Sequence, residues 1–550
     1  MNKQKIKQIS IILACILLTI IFFSYNIVIC VDSSHYCWLA SLVRNKNGEF
    51  ANWDVARGIV FPLIIYILTV IIGKNVISLQ IGMFIAYATM LMICYLIYKF
   101  MNKEFKINKY LKVVLGLIAI FLIILNPLIF GYYHTILTEY ISMTACIVAS
   151  YFAWQWINVN FMEHKIKYSI YTIYFALSTV FMWHLKQPYV LTILAPVIIS
   201  TILSIIKSFN WKNILQRIIT IIVCVITLFL SLKMWNVVLE SKVSKIDETR
   251  TSSGFLSNQI IEGMTEYYQL KDEEQYQIEN IINNSKISQE DKEKIIAIKE
   301  GKSEEYKNFW LIECAPHRDL ESSKEIKVIY TKEENLSLGE ALKFLISTFC
   351  ENPKSVLEGY FNNYLTTIGL YKAETVGAGA YVTKKLTLYG TYENSYIAYN
   401  IYRDTINNLN VPERYETYIE NYNGINRQIK IVNNLILEMA SYAIITFKVF
   451  LLFAPILFII SFIKFIILKI KKAENKKIRI YEILTILYGY SFFNVLMYSV
   501  LGALIDRYAI SSYLAVNVGI LIHLTYLCIL VINKIKNVKL NKQLNIGGRK

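Results

Sequence analysis

Long apolar stretches alternate along this chain with short basic ones, and the alternation is its strongest structural signal. A helix needs about 20 mostly apolar residues to cross the hydrocarbon of a bilayer. Ten stretches of roughly that length are bounded by Lys and Arg: Ile9–Val31, Val76–Tyr98, Val113–Phe130, Tyr140–Ile157, Tyr168–His184, Val190–Ile206, Ile218–Val238, Ser441–Phe462, Ile483–Leu501 and Ile510–Ile532. The first follows Lys3, Lys5 and Lys7 yet ends without a small-x-small cleavage site, so it reads as a retained anchor. The pattern predicts a mainly α polytopic membrane protein with about ten transmembrane helices.

A further apolar stretch, Ile59 to Gly73, is short for a crossing and contains Phe61-Pro62. If it crossed, the loop bearing Lys99, Lys103, Lys106, Lys109 and Lys112 would lie outside, against the positive-inside tendency. It therefore reads as a juxtamembrane or re-entrant helix in an outer loop. With both termini cytoplasmic, the ten runs place most Lys and Arg of the membrane modules in cytoplasmic segments of an inner, plasma-membrane protein. The organisation expected is a membrane module over 1–238 with a catalytic first outer loop (32–75), an extracytoplasmic domain over 239–438, a second membrane module over 439–533 and a basic cytoplasmic tail over 534–550.

Composition removes other classes. Of 550 residues, 55% are hydrophobic and 18% charged, where a soluble globule carries about 25% charged residues. The same apolarity excludes a disordered chain, and 9 Cys are too few for a disulfide scaffold. A net charge of +17 would suggest nucleic acid in a soluble protein. Here the segment 238–438 holds 23 basic and 31 acidic residues while the remainder holds 34 and 9, so the cations are chiefly topological anchors. No nucleic-acid partner is needed to explain them. The few cations in outer loops, Arg57, Lys186 and Arg507, become the informative ones.

No phosphate loop, GxGxxG turn, CxxC pair or His-Glu-x-x-His spacing occurs, and Gly377-Ala378-Gly379 is a flexible turn. Cys30 with Cys37, or Cys314 with Cys350, are on the same side and either pair could bridge. His35 and His134 both fall at the outer face. The first outer loop reads Asp32-Ser33-Ser34-His35-Tyr36 and continues to Asn52-Trp53-Asp54-Val55-Ala56-Arg57-Gly58, ending in Phe61-Pro62. Downstream, Asn126-Pro127 precedes a loop that ends at Glu139, His184-Leu185-Lys186-Gln187-Pro188 joins two spans, and Ile505-Asp506-Arg507-Tyr508 opens the last.

In their order and common sidedness these motifs resemble the GT-C class of membrane glycosyltransferases, which includes the protein O-mannosyltransferases and the aminoarabinose transferase of lipid A. The resemblance covers roughly residues 1 to 210 and 480 to 530. It departs from the family's usual acidic pair, since Ser33 follows Asp32, and it does not extend into 238–438. It implies a polyprenyl-phosphate sugar as donor and a cell-surface glycan, glycolipid or protein as acceptor, with membrane lipids around the chain. A lipid-linked donor also fits the missing nucleotide motif.

Such a transfer needs a base for the acceptor hydroxyl and cations for the leaving phosphate. The resemblance gives Asp32 as base, with Glu139 and Asp54 as further catalytic acids. It gives Arg57, Lys186 and Arg507 as phosphate contacts, and Tyr508, Tyr36 and His35 as substrate-binding groups. Direct displacement would invert the anomeric centre, and neither a metal nor another cofactor is required. Each residue also has a plainer reading: Asp32 as a solvated interface acid, Arg57 and Arg507 as headgroup anchors, Lys186 as a snorkelling side chain, Glu139 as a helix N-terminal acid. Two other functions fit the layout. A polysaccharide polymerase of the O-antigen type shares the large external loop but is expected to carry more Arg in outer loops. A lipid or polysaccharide flippase or transporter is expected to show repeated halves and charges deep in its spans, whereas this chain shows no repeat and few deep charges.

Overall fold

In the computed structural model of the chain, residues 57–72, 76–105, 109–135, 137–159, 161–186, 188–207, 211–242, 353–370, 430–501 and 506–547 are described, with scattered positions between 13 and 43 and between 339 and 350. These residues are overwhelmingly helical and include no β-strand. The helices are α1 (Val60–Ile72), α2 (Val76–Glu104), α3 (Lys109–Ala119), α4 (Pro127–Tyr132), α5 (Glu139–Ile157), α6 (Lys165–Leu185), α7 (Pro188–Lys207), α8 (Trp211–Lys242), α9 (Pro353–Thr367), α10 (Lys430–Ile470), α11 (Asn475–Val500) and α12 (Ile510–Gly547). Among the described residues, five stretches are long and apolar enough to cross a membrane: Phe84–Glu104, Ile214–Trp235, Tyr442–Ile470, Asn475–Val500 and Arg507–Ile535. Val113–Ile124 and Thr192–Ile202 are shorter apolar helices.

Eight of the apolar runs read from the sequence coincide with helices, and the juxtamembrane stretch is the 13-residue α1. The run Val113–Phe130 does not form one helix, which corrects the sequence reading. After α3 the chain widens into a π-helical turn at Ile120–Ile124 and stops at Leu125. Asn126 then takes an extended conformation, and its side-chain oxygen accepts from the backbone N–H groups of Leu128 and Ile129. An N-cap Asn followed by Pro at N1 starts a helix and so breaks the run. The π turn loosens the backbone ladder, and Asn517 Nδ2 of α12 donates to the Leu122 carbonyl at 3.1 Å.

Helix α11 sits at the centre, packed by α10, α7, α12, α5 and α9. The contrast with α8 explains their compositions. Most of the α11 span is buried and it carries Ser491, Asn494 and Ser499, all 0% exposed, whereas little of the apolar span within α8, Ile214–Trp235, is buried. A polar side chain inside a bundle finds partners that lipid cannot supply. Ser491 Oγ donates to the Ser512 carbonyl at 3.0 Å, Asn494 Nδ2 to Ser512 Oγ at 2.7 Å, and Tyr490 OH to Ser511 Oγ at 3.0 Å. These bonds fix the register of α11 against α12. Gly519 lets the two helices close up: a Cβ there would lie 2.5 Å from the ring of Tyr488.

Helix α9 belongs to the long polar segment, yet it is docked on the bundle. Asn363 Nδ2 donates to the Ser499 carbonyl at 3.0 Å, and Tyr364 OH to the Leu451 carbonyl at 2.7 Å. The remainder of 243–429, apart from the positions named above, lies outside the described residues.

Candidate functional site

Helix α5 has buried charge at both ends. At its start, Glu139 occupies the first turn, where a carboxylate favours the helix dipole, and only 2% of it is exposed. Two cations from remote parts of the chain meet it. Lys186 caps the C-terminus of α6 in an extended conformation, just before Pro188 opens α7, and its Nζ lies 3.6 Å from Glu139 Oε1. Arg507 stands in a 3-10 turn, Asp506–Ala509, between α11 and α12, and its Nε lies 3.8 Å from the same oxygen. Thr138 Oγ1 donates to the other carboxylate oxygen at 3.3 Å.

Aromatic rings seat both cations. The Lys186 ammonium lies 3.2 Å from the centroid of the Tyr508 ring and 5.8 Å from those of Tyr189 and Tyr498. Tyr498 stacks on Tyr508 with centroids 4.9 Å apart, and Tyr189 meets Tyr498 edge-on. The Arg507 guanidinium lies 5.1 Å from the Tyr508 ring, and its Nη2 donates to the Tyr508 hydroxyl at 3.3 Å. Such cation–π contacts contribute about 0.5–2 kcal/mol each, more when desolvated.

A third cation stands on the same side of the bundle. Arg57 Nη1 donates to Tyr36 OH at 3.4 Å, and the guanidinium lies 5.5 Å from the Tyr36 ring. Tyr36 packs edge-on against Phe61 of α1, and Phe61 against Tyr140, the residue after Glu139. Gly58, next to Arg57, touches the turn that carries Lys186: a Cβ at Gly58 would lie 1.8 Å from the His184 carbonyl oxygen. No side chain can occupy that space, so the Arg57 loop is pressed against the end of α6 only because residue 58 is glycine.

Of the residues singled out in the sequence, Glu139, Lys186, Arg507 and Tyr508 thus form one cluster, with Arg57 and Tyr36 beside it. Asp32, His35 and Asp54 lie outside the described residues. His134 is 1% exposed, its Nδ1 facing the Phe130 carbonyl at 2.8 Å and its Nε2 the Phe22 carbonyl at 2.9 Å. Burial pushes its imidazole down to about 4, against the pull of those two carbonyls. It clasps the first helical residues to α4. Cys350 is exposed and carries no disulfide, while Cys30, Cys37 and Cys314 lie outside the described residues. Among the described residues, no group of three His, Cys, Asp or Glu side chains is placed to hold a metal ion.

Sequence reasoning missed Tyr189 and Tyr498, because one Tyr among 40 carries no signal until its ring is seen against Lys186. It also missed the other end of α5. There Arg479 Nη2 pairs with Glu104 Oε1 at 3.0 Å, and Arg479 stacks over Trp154 at 4.9 Å. Asn158 Nδ2 donates to Glu482 Oε2 at 2.5 Å, and Arg217 Nη2 to the Ile157 carbonyl at 2.6 Å. Glu104 and Glu482, near helix ends, are 4% and 2% exposed. No protein-family model, curated protein or solved structure matches the chain.

Proposed function

We propose that the chain is an integral membrane glycosyltransferase of the GT-C type that moves a sugar from a polyprenyl-phosphate carrier to a cell-surface glycan, glycolipid or protein. In this reading ten spans, the third of them interrupted at Asn126, hold both termini in the cytoplasm, and the Glu139 end of the bundle faces outward. The acceptor hydroxyl oxygen attacks the anomeric carbon, the bond from that carbon to the phosphate oxygen breaks, and the lipid phosphate leaves with the electron pair. Asp32 of the first outer loop takes the hydroxyl proton. Lys186, Arg507 and Arg57 contact the phosphate, where negative charge grows as the bond breaks. Glu139 holds two of these cations together and offsets one, leaving the cluster net positive.

One observation carries the reading: Glu139, Lys186, Arg507 and Tyr508, spread over 370 positions, meet at one end of a membrane bundle. An acid with two cations on aromatic seats suits an anionic headgroup better than a sugar alone. The test is transfer by purified protein in nanodiscs, supplied with a panel of undecaprenyl-phosphate-linked radiolabelled sugars and cell-envelope acceptors. Wild type should release undecaprenyl phosphate from one of them, with Asp32→Asn inactive and Arg507→Gln slowed about 10²-fold, as for loss of one oxyanion contact. Wild-type turnover by both variants would overturn the assignment. Cysteine labelling that put the loop bearing Lys103 to Lys112 outside would overturn the topology.

A further inference from the structure

Helix α9 has two unlike faces. One is buried against the bundle through Val356, Asn363, Tyr364, Thr366 and Thr367, and is fastened to α10 and α11 by the two carbonyl bonds described above. The other presents Leu357 and Phe361, one helical turn apart and each 57% exposed, with the charged Glu358 on an adjacent strip. Helical positions upstream continue the theme: Leu342, Ile346 and Phe349 recur at spacings of four and three and are also exposed, Ile346 to 61%. Large apolar side chains gathered on one exposed face mark a surface that something apolar covers.

Two observations identify the cover. The helices that hold α9 are themselves long and apolar enough to cross a membrane, and the exposed side of α10 near the Leu451 anchor carries Ile445, Val449, Phe453 and Ile456. Large apolar side chains are thus exposed both on α9 and on α10, a helix it is bonded to. The depth of α9 is also defined, because Ser499, bonded to Asn363, is the next-to-last residue of α11. A helix placed at the end of a span, apolar on one face and charged beside it, has the character of one that lies in the bilayer interface.

We infer that α9 and the helical residues before it form a membrane-interface element, with Leu342, Ile346, Phe349, Leu357 and Phe361 among lipid acyl chains and Glu358 at the headgroups. Part of the long polar segment is thereby a lipid-binding surface and not a free external domain. Because α9 also touches the 3-10 turn of Arg507, the same interface reaches the Glu139 cluster. The inference does not depend on a transferase activity.

The experiment uses the full chain in phosphatidylcholine–phosphatidylglycerol nanodiscs, with a genetically encoded nitroxide amino acid at position 357, 361 or 358 so that the native cysteines stay. Relaxation by oxygen reports acyl chains and relaxation by a neutral nickel chelate reports water. Positions 357 and 361 should show an oxygen-to-nickel ratio several-fold above that at 358. Equal ratios at the three positions would mean water, and shielding from both reagents would mean a protein partner; either result overturns the inference. Photocrosslinking from benzoylphenylalanine at 361 gives a second readout, with lipid adducts expected and adducts confined to protein counting against it.

Discussion

The two ends of α5 hold the same kinds of residue arranged for different ends. They are separated by 19 residues, about 27 Å of helix, close to the thickness of a bilayer's hydrocarbon. At the Glu482 end contacts are short: a 3.0 Å ion pair, a 2.5 Å amide–carboxylate bond and a 2.6 Å guanidinium–carbonyl bond tie α2, α5, α8 and α11 together. Two carboxylates there face the guanidinium groups of Arg479 and Arg217, and Lys103 stands over the Trp154 ring at 5.8 Å. At the Glu139 end one carboxylate faces two cations at 3.6 and 3.8 Å, and tyrosine rings do much of the holding. A tight cluster acts as a staple. A loose cluster with surplus positive charge can admit an anion without first breaking its own bonds. Residue type does not separate them; distance does.

The largest expected effect lies at the stapled end. Arg479→Ala leaves the Glu104 carboxylate buried without its ion-pair partner, a loss of about 3 kcal/mol, and should lower the thermal midpoint of the purified protein markedly. Lys186→Met at the other end should lower it less, because Arg507 still faces Glu139. If the two variants melted alike, the distinction between staple and site would fail.

Next comes binding at the loose end. A charge-assisted hydrogen bond contributes about 1.5–3 kcal/mol, so Lys186→Met should weaken undecaprenyl phosphate about tenfold or more while leaving undecaprenol binding unchanged. Equal weakening of both lipids would point to general loss of packing. Gly58→Ala tests how the Arg57 loop is held: its Cβ requires the backbone at His184 to give way, costing about 1–3 kcal/mol, and should reduce phosphate binding together with stability.

The smallest effect sharpens the role of the rings. Tyr508→Leu removes a cation–π seat of about 0.5–1 kcal/mol, a several-fold weakening of undecaprenyl phosphate, while Tyr508→Phe keeps the ring and should keep most of the affinity. Should the phenylalanine variant match the leucine one, the hydroxyl that accepts from Arg507 would matter more than the ring.

Much of this was legible in the sequence and some could not be. The apolar runs anticipated the helices because the hydrophobic content of a span is a local property. Glu139, Lys186 and Arg507 stood out because each is a charge at the edge of an apolar run, where its retention needs a reason. The break at Asn126-Pro127 was also written locally, but run length masked it until the cap was seen to accept two backbone bonds. Tyr189, Tyr498 and the Glu482 staple left no local mark. Their meaning is pairwise, and the partners lie up to 375 positions apart, as for Arg479 and Glu104.

The sequence by itself determined that the chain is apolar, helical and built of long stretches suited to a membrane, because hydrophobicity and helix length are summed along the chain. Tertiary structure alone decided which charged residues share a neighbourhood, which tyrosines seat a cation, and that a helix of the polar segment docks on the bundle. The physical reason is that ion pairs and ring contacts act over a few ångströms in space, and only packing brings distant positions that close.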